Sequence, residues 1–194
     1  MEAVLVSQAT YVNSNDEFAH LEFSNVLYEI LKNLYSKDRQ MVILCIGTDR
    51  VTGDSFGPMI GYKLEQSDIL KEVSIYGTLE KPVHAKNLER TIKKIKETYA
   101  NPLIIAVDAS IGSFKSVGHL TVGEGEVRPG AGVNRNLPAV GDMYITGIVS
   151  FGGLFGANSI QNTRLGLVMK MADIASFAIK EAVARVALDG VGWR

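Results

Sequence analysis

Two aspartates stand where a parallel sheet would present them for chemistry. Asp54 lies in the loop after the apolar run Met41–Ile46, and Asp108 directly follows a second apolar run, Leu103–Val107. Runs that are apolar on both faces suit strands buried in a parallel sheet, and ligands of such sheets bind outside the carboxyl ends of the strands. If the two strands are neighbours, the two carboxylates come close together. Two close carboxylates resist ionising together, so one holds its proton to higher pH and the pair can run acid–base chemistry on a water and a leaving group. The same oxygens could instead hold a hard divalent cation, so a metal at Asp54 and Asp108 stays open, although no cofactor is expected. The competing structural roles are a helix cap for Asp54 and a turn hydrogen bond for Asp108.

Other residues border the same loops. Asp49 and Arg50 sit in Gly47–Gly57, and an exposed pair between them would be worth only ~0–1 kcal/mol. His84 follows the end of another strand and suits proton transfer. Asn134 and Arg135, with the amides around Gly130 and Gly132, could bind a peptide carbonyl or an oxyanion. His20 and His119 are better explained structurally. Cys45 lies inside a buried strand, where a thiol is poorly reactive, and a single cysteine allows no internal disulfide. Nucleotide binding is disfavoured. Gly47 and Gly53 enclose five residues where a phosphate loop has four, and Asp54 stands where that loop needs lysine.

The elements that must position these groups alternate between helix and strand. Amphipathic spacing predicts a helix over 16–37, with Phe18, Leu21, Val26, Ile30 and Leu34 on its apolar side and Leu27 and Leu31 beside them, capped by Asn15 or Asp16. A strand at 41–46 leads through the loop 47–57 to a helix opened by Pro58. A strand at 73–77, a helix at 85–99 with Leu88, Ile92 and Ile95 inward, and a strand at 103–107 ended by Asp108 follow. Strands near 119–122 and 143–149 flank a long loop at 124–142. A last helix spans 162–188, with Leu165, Met169, Ala172, Ala175, Ile179 and Val183 as its apolar positions; its alanine and methionine positions suit core or a homo-oligomer contact. This order implies an α/β fold, a three-layer α/β/α sandwich around a mostly parallel sheet. One domain over residues 1–194 is expected, with 1–15 a weakly patterned lead-in.

Composition agrees. Of 194 residues, 46% are hydrophobic and 21% charged, with a net charge of −1. That balance argues against a nucleic-acid binder and a polybasic membrane-surface protein. No targeting signal and no span of ~18 apolar residues is visible, so a cytoplasmic protein is expected. Glycine is in excess at 19 residues, with none before Gly47 and twelve between Gly112 and Gly166. Such a stretch points to loops that line a site.

The motifs carry a resemblance. Cys45-Ile-Gly-Thr-Asp-Arg-Val-Thr-Gly-Asp-Ser-Phe-Gly-Pro58 resembles the signature of the YyaC-type sporulation proteins of spore-forming Firmicutes, a family labelled as spore proteases. Thr78–His84 and Ala106-Val-Asp-Ala-Ser110 are further landmarks over residues 40–185. The class is similar to the spore germination protease and, in fold, to the hydrogenase-maturation endopeptidases. The resemblance implies an endopeptidase-like hydrolase with Asp54 and Asp108 as its aspartate pair, acting on a protein or peptide in the forespore or mother cell. The segment Arg128-Pro-Gly-Ala-Gly-Val-Asn-Arg135 is similar to a loop of the germination protease and would help position the substrate. The maturation enzymes add a histidine as third metal ligand; the corresponding loop here, near Gly132–Asn136, holds Asn134 or Arg135 instead. A catalytically silent sporulation factor that binds a protein partner through the same crevice is the alternative.

Overall fold

A computed structural model describes residues 9–130, 137–152 and 160–189. Six strands form one sheet: β1 (Thr10–Asn13), β2 (Met41–Cys45), β3 (Ser74–Tyr76), β4 (Leu103–Gly112), β5 (His119–Glu124) and β6 (Met143–Phe151). Their order is β1-β5-β6-β4-β2-β3. The pairings β2–β3, β2–β4 and β4–β6 are parallel, whereas β1–β5 and β5–β6 are antiparallel. The helices are α1 (Ala19–Leu34), α2 (Phe56–Glu65), α3 (Leu88–Thr98) and α4 (Leu165–Asp189).

Burial on both faces of β2 and β4 makes the three layers. Met41, Ile43 and Cys45, with Leu103, Ile105 and Val107, pack on the side covered by α1, α2 and α4. Val42, Leu44, Ile104 and Ala106 pack on the opposite side against Leu88, Ile92 and Ile95 of α3 and Val140 of the long connection. Strand alternation thus explains why both runs read as continuously apolar. The inward residues expected for α3 are the ones buried.

Several boundaries and faces differ from the sequence expectations. The lead-in contains β1, which pairs in register with β5 and forms a sheet edge; four residues at an edge bury only Val12, so their pattern is weak. In α1 the core stripe is Phe23, Leu27 and Leu31, while Phe18 and Leu21 are exposed. Neither Asn15 nor Asp16 caps that helix; the turn before it is closed by Asn13, whose backbone carbonyl accepts the Asp16 N–H. In α4 Leu165 and Met169 are exposed, and the buried face runs through Val168, Met171, Ala172, Ala175, Ile179 and Val183. Helix α2 starts at Phe56, leaving Pro58 in its first turn, where a missing N–H costs no helical hydrogen bond. Asp108 does not end its strand: β4 continues to Gly112 because β6 keeps pairing with it beyond the end of β2.

The sheet order sets the crevice. From β2 the chain passes outward to β3, then returns to β4 on the other side of β2. The segments leaving the carboxyl ends of β2 and β4 therefore diverge, and a crevice opens between them, as at other switch points of parallel sheets.

Candidate active site

The β2–α2 connection is built by close backbone approach. Gly47 adopts φ +140°, and a Cβ there would lie 2.0 Å from the Asp54 carbonyl oxygen, so only glycine fits. That carbonyl accepts the Thr48 N–H at 3.0 Å, closing the loop on itself. Gly53 N–H donates to Ile160 O at 3.1 Å, tying the loop to the segment before α4. On α2, Gly57 and Gly61 let the helix touch the sheet; a Cβ would meet Ile46 O at 2.2 Å and Gly77 O at 2.1 Å, respectively. Gly147 of β6 leaves room for the fully buried Phe56 ring, whose nearest atom would be 2.9 Å from an added Cβ. These contacts fix the single 3-10 turn Gly53–Ser55 that carries Asp54. Asp54 is not the helix cap: Ser55 holds that position, without a side-chain capping bond.

Asp108 is the sixth residue of β4, on the α3 side of the sheet, and is 6% exposed. Asp54 and Asp108 line one cavity of about 190 Å³, with Ala109, Ser110 and Ile111 of β4, Val127, Arg128 and Gly130 of the long connection, Thr146 of β6 and Ile160. Burial drives the Asp108 carboxyl well above the usual carboxylate range, and the charge of Asp54 pushes it further. The Ala109 and Gly130 N–H groups donate to it and pull the other way, without cancelling the rise. Asp108 is thus the member of the pair that holds its proton to higher pH than an ordinary aspartate.

The Gly130 N–H is directed at Asp108, and Gly130 lines the same cavity. Gly130 itself has φ +71°. Gly132, Asn134 and Arg135 lie outside the described residues. Asp49 and His84 do reach the crevice: with Thr48, Arg50, Glu80 and Lys86 they line a second cavity of about 430 Å³ that also contains Asp54. Asp54 is therefore the shared wall of two adjoining spaces. His84 Nδ1 accepts the Lys86 N–H at 3.3 Å, which leaves Nε2 as the ring's donor in the neutral form. Among the described residues the ion pairs do not include Asp49 with Arg50.

The sequence reading missed a run of hydroxyls. Thr146 Oγ1 lies 2.6 Å from Thr121 Oγ1 and accepts from Ser110 Oγ at 3.3 Å, leading from the sheet interior to the cavity. The available signal was a threonine inside the largely apolar β6 and a serine two residues after Asp108. The remaining histidines are structural: His20 stacks edge-on with Phe177 at 5.3 Å, and His119 Nδ1 lies 3.0 Å from Ser116 O. Among the described residues no group of three or more His, Cys, Asp or Glu is placed to hold a metal ion. A cation between Asp54 and Asp108 would have two protein carboxylates and would need other oxygen ligands. Among the described residues no helix is long and apolar enough to cross a membrane.

Comparison with known proteins places this crevice in a family. The "Uncharacterized protein YyaC" of Bacillus subtilis (strain 168) is 45% identical over 164 residues, covering 84% of this chain and 78% of that protein. The family model described as "Protein of unknown function (DUF1256)" matches residues 11–178, a span that holds both aspartates and every strand but the first residue of β1. The chain belongs to the DUF1256 family.

Proposed function

We propose that the protein is an endopeptidase-like hydrolase whose acid–base pair is Asp54 and Asp108. One arrangement carries the reading: a buried carboxyl pushed above the ordinary carboxylate range by burial and by a second carboxylate, with both in one cavity at the carboxyl ends of parallel strands. In this reading Asp54 takes a proton from a water as its oxygen attacks the peptide carbonyl. Asp108 gives its proton to the leaving nitrogen as the C–N bond breaks, and proton exchange between the pair restores the starting state. Asp54 sits at the start of α2, where the helix N–H groups favour a negative charge. The choice of a peptide bond and a sporulation setting rest on the resemblance of the Asp54 and Asp108 motifs to those of the germination protease.

The test is cleavage of a random peptide library by the purified chain, read by mass spectrometry. The wild type is expected to cut, and Asp54→Asn and Asp108→Asn are each expected to lose at least about 100-fold in rate while staying folded. Cleavage retained in either folded variant removes that residue from the mechanism. Peptide binding by a wild type that cuts nothing would leave a binding crevice and no hydrolase.

A further inference from the structure

Strand β4 outruns its neighbour. Cys45, the last residue of β2, pairs with Val107, and β4 then continues from Asp108 to Gly112 with β6 alone beside it. The direction of its main-chain groups follows from bonds on either side. Leu103 N–H donates to Gln40 O, and Val107 O accepts the Ile46 N–H, so odd-numbered residues face β2. Ile104 O accepts the Asp142 N–H, and Gly112 O accepts the Gly152 N–H, so even-numbered residues face away from β2. The β4–β6 register shifts between Ser110 and Ile111, where Val149 of β6 is passed over, and the Gly112 bond shows that the alternation of β4 itself continues; Ala109 and Ile111 therefore turn their main-chain groups into the space past the end of β2, where the Asp54 turn lies. Both residues are partly exposed and line the cavity that holds the two aspartates. Among the described residues no strand pairs with them on that side. The Ala109 N–H is taken by the Asp108 carboxyl, and among the described residues the Ala109 C=O and both main-chain groups of Ile111 have no strand partner on this side and form a strand edge. Such an edge is a template for another extended chain.

We propose that the substrate is an extended, locally unfolded polypeptide segment that adds to this edge of β4, pairing its main chain with the Ala109 C=O and the Ile111 N–H and C=O. The inference rests on the hydrolase reading and specifies its substrate class. A strand advances ~3.3 Å per residue, so a chain anchored at Ile111 reaches the level of Asp108 within about three residues. Main-chain pairing tolerates many sequences, and selection falls to the side chains that alternate along the added strand. Those directed at the first cavity meet Ile111, Val127 and Ile160 beside the hydroxyls of Ser110 and Thr146, which favour a small, mainly apolar residue. Those beyond Asp54 meet Arg50, Glu80 and Lys86, which favour a polar one. A segment whose main-chain groups are already paired in a helix or sheet cannot supply the required strand, so the regular elements of native globular proteins should resist attack.

The probe is a random heptapeptide library, acetylated and amidated, set against the same sequences N-methylated at every amide. Hydrogen exchange of residues 109–112 is followed in the full-length Asp54→Asn protein, which allows binding without turnover. The unmethylated library is expected to slow exchange there about fivefold or more, and the methylated one to leave it unchanged. Ile111→Pro, which deletes the donor, is expected to lose the protection, and Ile111→Ala, which keeps it, to retain the protection. Equal protection by both libraries, or none by either, overturns the proposal. If Ile111→Pro fails to fold by circular dichroism, the library comparison decides alone. Cleavage by wild type keeps the two readings apart. Protection without cleavage removes the hydrolase and leaves the strand edge; cleavage without protection removes the strand edge and leaves the hydrolase.

Discussion

Replacing Asp108 with asparagine should change the slope of stability against pH. Asp108 is 6% exposed, and its carboxyl lies well above the ordinary 3.8, first through burial and then through the charge of Asp54. The unfolded chain loses this proton near the ordinary value, and the folded chain keeps it to higher pH. Between those two points the folded state binds the extra proton, so raising the pH disfavours folding. The full slope is about 1.4 kcal/mol per pH unit for one group. The contribution is complete below the ordinary carboxylate range, is lost as pH rises toward the raised value, and is flat above it. Asp108→Asn has no such proton. The stability of the variant relative to wild type should therefore climb by up to about 1.4 kcal/mol per unit across the window, then level off. Urea unfolding at closely spaced pH values, analysed with a shared m-value, measures this directly. A constant offset from altered packing does not matter, because the slope is the readout. In Asp54→Asn the window should narrow, since the second push on Asp108 is gone. Parallel curves for wild type and Asp108→Asn, or a difference of opposite sign, would refute the account of Asp108 and the acid–base assignment built on it.

Other outcomes follow from the same geometry. Activity should show a bell-shaped pH profile whose alkaline limb belongs to the aspartate pair, and the limb should disappear with the activity in Asp108→Asn. Gly61→Ala puts a Cβ 2.1 Å from the Gly77 carbonyl oxygen, where backbone must move; a loss of about 1–3 kcal/mol is expected in urea unfolding. Thr146→Val leaves the buried Thr121 hydroxyl without its 2.6 Å partner and should cost about 1–3 kcal/mol. Cys45 is fully buried and its thiol is pushed far up by burial, so it should resist a thiol reagent at neutral pH until the chain is unfolded. Rapid labelling of the native protein would contradict that placement.

Much of the fold was legible because its signals are local. The runs Met41–Ile46 and Leu103–Val107 are apolar at every position, and only a strand covered on both faces satisfies such a run. They therefore announced a layered α/β chain, and with it the placement of Asp54 and Asp108 beyond the carboxyl ends of two buried strands. The spacing of Leu88, Ile92 and Ile95 likewise marked the face of α3 that became buried. Where local signals were weak or ambiguous, the reading slipped. At α1 and α4 some apolar residues lie off the buried face, and periodicity could not say that Phe23 and Met171 face the core while Phe18 and Met169 face solvent. For β1, whose four residues bury one side chain, partnership with β5 decides that it is a strand.

By itself the sequence determined the layer type, the residues able to do acid–base chemistry and the glycines that shape their loops. Those are properties of residue type and short-range pattern, which survive without knowledge of neighbours. Tertiary structure alone decided the rest. The order β6-β4-β2 made the two apolar strands adjacent and so put Asp54 and Asp108 in one cavity. Burial beyond the end of β2 raised Asp108 above its ordinary range. The five-residue overrun of β4, Asp108–Gly112, left Ala109 and Ile111 facing the crevice. The acidity of a carboxyl and the openness of a strand edge depend on what surrounds them, and those surroundings come from segments far apart in the chain.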